Sequence, residues 1–161
     1  MKLSENMLKW AIRLYPPLFF QRIWVQKFDT GFTGVEVKIG KSFLNTNYNK
    51  SIFGGTIFSA SDPFYALLFD QILKKRNLKT RVWLKSAQIK YLRPGRSNLY
   101  FKIKLSEEQI AEAEHALQTV GKFVKAYHIE MVNEQGEVCV SVINEVYIRN
   151  LYKGEACVVA Y

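Results

Sequence analysis

Apolar residues recur at threes and fours along one stretch of the chain, at Ile57, Ala60, Phe64, Leu67, Leu68 and Ile72, which is the period of a helix. Apart from Asp62 and Asp70, this stretch carries no charge before Lys74, Lys75 and Arg76. A helix so poor in charge should be buried around most of its circumference, so the rest of the chain must wrap it. Asp62 stands out, because an unpaired buried carboxylate is expensive and needs a reason. The helix is predicted to stop near Asn77, where the preceding cations suit the negative end of its dipole. Ahead of it, a polar loop over 40–49 leads through Asn47 and Phe53 into the paired glycines Gly54 and Gly55.

The remaining pattern is mostly of period two. Residues 23–29 and 35–39 read as strands joined by a Gly-bearing connection, which fits a hairpin. In 81–91, Val82 and Leu84 share one phase while Ala87, Ile89 and Tyr91 take the other, predicting a bulge near Lys85 and Ser86. A turn over 93–96 precedes a cleanly alternating strand over 99–105. Ser106 and Gln109 form a capping box for a short acidic helix over 107–119, which Gly121 closes. Two long strands, 122–132 and 137–149, finish the body. At the N-terminus Ser4 caps a helix with Met7, Leu8, Ala11, Ile12 and Leu14 on its apolar side and Lys9 and Arg13 on its polar side. Pro16 and Pro17 should end that helix and let Leu18, Phe19 and Phe20 pack back on the body. In the tail, Cys157, Val158 and Val159 could add a small edge strand.

Strands that follow one another through short turns favour an antiparallel sheet, so the fold class is α+β, with the sheet curled around the one apolar helix. One domain is expected, with an N-terminal helical extension over 1–21, a core over 22–149 and a tail over 150–161.

Composition narrows the partners. The 48% hydrophobic content excludes a disordered chain, and the net charge of +9 favours an anionic partner: a phosphorylated cofactor, an acidic carrier protein, nucleic acid or an anionic membrane. The basic residues are scattered without a recognised motif, so nucleic acid is the weakest of these. The basic, aromatic N-terminus could lie on a membrane, but surface helices of soluble domains show the same pattern, and membrane association is not the expectation. No apolar run approaches the ~20 residues that span a bilayer, and a cytoplasmic protein is expected. Cys139 and Cys157 lie far apart, and His115 and His128 are the only histidines, so no metal site is expected.

The segment from Phe53 to Asp62 resembles that of hotdog-fold thioesterases of the phenylacetate-pathway type, in which an Asn-bearing loop and His-Gly-Gly precede a helix with an acid seven places after the second glycine. Asp62 stands at that spacing from Gly55, and Asn47 stands where the family places its loop Asn. The whole layout is most similar to the hotdog family known as domain of unknown function 4442, over roughly residues 28–149. The turn at Tyr91, Leu92, Arg93, Pro94 and Gly95 and the closing strand through Tyr147 and Arg149 belong to that likeness. The resemblance implies a hotdog fold and an acyl-thioester hydrolase acting on acyl-coenzyme A or acyl-carrier protein, in a homodimer or dimer of dimers. Its site lies between subunits, with the glycine turn and the acid from different chains. Asp62 would be base or nucleophile, Gly55 the oxyanion donor, and Asn47 an orienting group. Gly54, Phe53, Phe58, Tyr65 and Tyr91 would contact substrate, and Arg93 and Arg96 would meet the phosphates of coenzyme A. Coenzyme A enters as part of the substrate, with no separate cofactor. The family's His before the glycines is Phe53 here, and a phenyl ring can pack but cannot polarise a carbonyl. That departure favours a second reading, an acyl-binding protein without turnover. Asp62 followed by Pro63 is also a common helix start, in which Asp62 caps and Pro63 takes the first position.

Overall fold

The computed structural model of the chain describes residues 3–152. Ser4 opens helix α1 (Glu5–Leu14) as expected, its hydroxyl accepting the Met7 amide at 3.2 Å. The proline pair does more than end α1. Pro16 and Pro17 open a second, one-turn helix α2 (Pro16–Phe19), where a fixed φ and a missing amide hydrogen are no handicap. Strands β1 (Ile23–Phe28) and β2 (Gly34–Ile39) pair as the expected hairpin through a 3-10 turn at Thr30–Phe32.

The central helix departs from expectation. It is two helices, α3 (Gly54–Ser61) and α4 (Pro63–Lys75), which meet at Asp62. Pro63 has no amide hydrogen for the Ser59 carbonyl and its ring crowds that turn, so the hydrogen-bond ladder is interrupted. Helix α4 is the buried one, sinking Phe64, Leu68, Phe69, Ile72 and Leu73 into the core. It ends at Lys75, two residues before Asn77 turns the chain through a left-handed φ of 61°.

The body closes with β3 (Thr80–Tyr91), β4 (Leu99–Lys104), α5 (Glu107–Thr119), β5 (Lys122–Val132) and β6 (Val138–Asn150). The six strands form one antiparallel sheet in the order β1-β2-β4-β5-β6-β3. The register slips between Leu84 and Ser86, where the phase of β3 predicted a bulge. Both halves of the Ser106–Gln109 capping box form. One sheet face, carrying Val37, Phe101, Ile129, Val142 and Val146, is buried with α4 in a single core, so the α+β architecture of a sheet wrapped on a central helix holds. Arg76 bridges Glu107 and Glu114 and so ties the end of α4 to α5.

The N-terminal extension sits differently from its pattern. Helix α1 packs on β1, but only Leu8 is buried, with Ile12 partly covered. Met7, Trp10 and Leu14 face outwards. Of the three residues expected to pack back, Leu18 does so while Phe19 and Phe20 stay exposed. The strand expected at Cys157, Val158 and Val159 lies outside the described residues.

Candidate functional site

The loop before α3 is held by its own asparagines. The Asn45 amide, buried, donates to the carbonyls of Gln21 (2.8 Å) and Gly40 (2.9 Å), while its oxygen accepts the Ser42 amide. The Asn47 oxygen accepts from the Asn49 amide (3.0 Å), the Ser51 amide (3.1 Å) and the Ser51 hydroxyl (3.1 Å), an Asx-type turn. The Ile52 amide then donates to the Gly95 carbonyl, binding this loop to the turn after β3.

This clamping delivers Phe53 to the start of α3 in extended conformation, its carbonyl accepting the Thr56 amide. The amides of Gly54 and Gly55 are left without an acceptor among the described residues, as the first amides of a helix are. Such amides, at the positive end of the helix, can receive an anion or a developing oxyanion. The Tyr91 hydroxyl donates to the Gly54 carbonyl at 2.9 Å, and a Cβ on Gly54 would sit 3.1 Å from that hydroxyl. A Cβ on Gly55 would overlap the Phe53 ring. A side chain at Gly54 would press on Tyr91, and one at Gly55 would have to displace the exposed Phe53 ring. Beside them opens a cleft of about 320 Å³ lined by Asn47, Gly54, Ile57, Tyr91, Arg93 and Gly95.

Asp62 is not in that cleft. It follows α3 seven residues beyond Gly55, about 10 Å along the axis at 1.5 Å per residue. Nor is it the buried carboxylate that its apolar surroundings suggested: it is exposed, and shares the outward side of α3 with Gly55 and exposed Phe58 at spacings of three and four. The capping alternative fails too, since Asp62 has helical φ and ψ and its side chain makes no capping bond, although Pro63 does open α4. The adjoining body still strips part of its hydration and pushes its carboxyl above the usual range.

A residue that the sequence did not single out holds this junction. Asn144 lies fully buried in the β6 stripe of Val140, Val142, Val146 and Ile148, and its Nδ2 donates to the Ser61 carbonyl at 2.7 Å. Its Oδ1 is buried without a partner among the described residues. The signal was present as a polar gap in an otherwise apolar alternation.

The other expected residues divide. Tyr91 and Arg93 join the cleft, Arg93 donating to the Val138 carbonyl. Arg96 is not in that cleft; it lines one hollow with Lys41, Asn98 and Glu134 and a second that it shares with Arg93. Tyr65 is in the core, stacked on Tyr127 at 4.6 Å and donating to the His128 carbonyl, and burial pushes its hydroxyl up to about 12. His128 lies on the outer sheet face, 2.8 Å from the Ser141 hydroxyl. Among the described residues no cluster suits a metal ion, and no helix is long and apolar enough to cross a membrane.

The family model described as a domain of unknown function, DUF4442, matches residues 4–148. Among solved structures, the fold is similar to a Pseudomonas aeruginosa protein of unknown function described as a probable thioesterase, at TM-score 0.83 and 16% identity, covering 93% of this chain and 98% of that one. A thioesterase from Haemophilus influenzae gives TM-score 0.69 at 13% identity over 96% of each chain. The E. coli PaaI protein of the phenylacetic acid degradation operon gives 0.58 at 17% identity, covering 92% and 96%. No curated protein matches by sequence. These likenesses establish the hotdog fold.

Proposed function

The chain belongs to the DUF4442 family, and from that premise we propose that it is a thioesterase hydrolysing acyl-coenzyme A or acyl-carrier-protein thioesters. The observation that carries this reading is the pair of unpartnered amides at Gly54 and Gly55 opening α3, with Asp62 on the outward side of the same helix. The thioester carbonyl oxygen would sit at the Gly55 amide, which stabilises the charge that develops on it. Asp62 would take a proton from the attacking water, or attack the carbonyl itself, and the thiolate would leave. Asn47 would present its Nδ2, since its oxygen is committed to the loop. Phe53, Phe58 and Tyr91 would border the acyl group, with Tyr65 behind them in the core, and Arg93 and Arg96 would meet phosphates of the carrier.

About 10 Å separates Gly55 from Asp62 along one helix, too far for both to act on one carbonyl. A second copy resolves this, bringing its own Asp62 to the glycine turn. The twelve-residue edge strand β3, paired on one side only, offers the surface for such pairing. A homodimer, or a dimer of dimers, is therefore part of the proposal.

Thiol release from a panel of acyl-coenzyme A chain lengths tests the reading, with Asp62→Asn and Asp62→Ala measured beside the unaltered protein. Turnover that disappears in both variants supports it; turnover untouched by either rejects the assigned mechanism. The Phe53 ring against Gly55 favours a second reading, an acyl-binding protein without turnover, which predicts stoichiometric acyl-coenzyme A binding and no thiol release.

A further inference from the structure

Helix α1 turns much of its apolar side away from the protein. Met7, Trp10 and Leu14, spaced by three and four, form its outward stripe, with Trp10 51% and Leu14 66% exposed. Tyr15 continues that stripe, followed by Phe19 and Phe20 in edge-to-face contact at 5.5 Å. The Asn45 side chain donates to the Gln21 carbonyl, which holds the next loop, with exposed Phe43 (89%) and Leu44, to the residue that follows Phe20. The result is an exposed apolar surface from three neighbouring segments, rich in aromatic side chains.

Charge identifies the occupant. In residues 3–50 the acids are Glu5, Asp29 and Glu36, and each carboxylate is already ion-paired: Glu5 with Lys75, Asp29 with Lys27 and Glu36 with Lys102. Lys9, Arg13, Arg22 and Lys41, from the same segments, have no carboxylate within ion-pair distance among the described residues. Arg13 donates to the Val25 carbonyl at 2.8 Å, and the one acid in the hollow of Lys41 and Phe43, Glu134, accepts from Asn98. Arg13 lies over the Trp10 ring at 5.2 Å and Arg22 over the Trp24 ring at 5.4 Å, placing cations beside indoles. Aromatic side chains rimmed by unpaired cations match the boundary layer of an anionic bilayer, where rings enter the headgroup region and cations meet phosphates.

We propose that this face, formed by α1, α2 and the tip of the loop over 40–49, docks the protein reversibly on an anionic lipid surface. The proposal favours the membrane alternative that the sequence offered for the N-terminal segment over the ordinary surface helix that was expected, and adds Phe43 and Leu44, which the sequence showed only as loop. It stands apart from the thioesterase reading, because none of Trp10, Leu14, Phe20 and Phe43 belongs to the proposed reaction. The same loop carries Asn47 to the cleft, so docking would also hold the cleft close to the lipid.

Sedimentation with phosphatidylcholine vesicles, with and without phosphatidylglycerol, tests it on the full chain. Binding is expected only with phosphatidylglycerol. It should weaken as salt rises, and fall about tenfold or more in Trp10→Ser/Phe20→Ser with the melting temperature held. No sedimentation with phosphatidylglycerol vesicles at low salt overturns the proposal. So does binding that survives Trp10→Ser/Phe20→Ser but vanishes in Lys9→Glu/Lys41→Glu, which is charge attraction without ring insertion. A fall in assembly mass on Trp10→Ser/Phe20→Ser, in protein that does not bind vesicles, overturns it as well and assigns the face to a second copy.

Discussion

Helices α3 and α4 follow one another across a single residue, yet they behave as different kinds of element. α4 is structural: Phe64, Leu68, Phe69 and Leu73 are wholly buried and its polar residues gather at its C-terminal end. α3 is buried on one side, through Ile57 and Ala60, and bare on the other, where Gly55, Phe58 and Asp62 are aligned. The break at Asp62 and Pro63 lets one half anchor in the sheet while the other sets its N-terminus against the clamped loop. What differs is how each half is held. Packing is the main hold on α4, with polar ties at Tyr65 and at its C-terminal Lys75 and Arg76, whereas α3 is held at both ends by single polar contacts, Tyr91 at Gly54 and Asn144 at Ser61.

Substitutions can break that contrast. The largest effect is expected at Asp62. Asp62→Asn should lower thioester turnover by about 10²- to 10⁴-fold, as removal of a general base does, while leaving the melting temperature in place. Loss of folding in Asp62→Asn would instead make α3 as structural as α4. Phe69→Ala in α4 should do the reverse, costing about 3–5 kcal/mol of stability in a denaturant titration and leaving the turnover of the remaining folded protein nearly intact.

Asn144→Leu should be intermediate. It leaves the Ser61 carbonyl buried without its donor, costing about 1–3 kcal/mol, and also loosens the junction that carries Asp62. A variant that loses stability but keeps full turnover would show that the junction does not position the acid. Tyr91→Phe should be mildest, near 1 kcal/mol, with a smaller loss of turnover.

pH sharpens the same comparison. Partial desolvation raises the folded-state pKa of Asp62 above its ordinary 3.8, so the stability linked to this group is fully present below the unfolded pKa and is lost as pH rises through the folded one. Asp62→Asn should remove that loss and leave the variant no less stable at neutral pH. Under the proposed mechanism the ionised carboxylate is the active form, so the acid limb of the kcat/KM profile should fall at a pH above 3.8 and vanish in Asp62→Asn.

Much of the fold was legible along the chain because its signals are local. The N-cap at Ser4, the capping box at Ser106, the alternation in β5 and β6, and the phase change in β3 each depend on neighbours a few residues apart. The site was legible only in part. Gly54, Gly55 and Asp62 were marked by spacing, and the resemblance supplied their expected roles. Asn144 went unnoticed because it lies eighty-three residues from the carbonyl that it holds. Tyr91 was read as a lining residue, and its bond to Gly54 depends on where β3 ends relative to α3.

The sequence by itself determined the period of each element, the succession of strands along the chain, and an apolar helix that demands a sheet around it. These follow from propensity and periodicity, which act within a few residues. Only the tertiary structure decided which side of each helix is buried. A helical pattern records that residues share a face but not what covers that face, so the apolar side of α1 could be read as one face and prove divided, with Leu8 and Ile12 on the body and Met7 and Leu14 outwards. For the same reason Asp62 could be expected in the interior and stand exposed: its surroundings are set by the sheet and by the proline break.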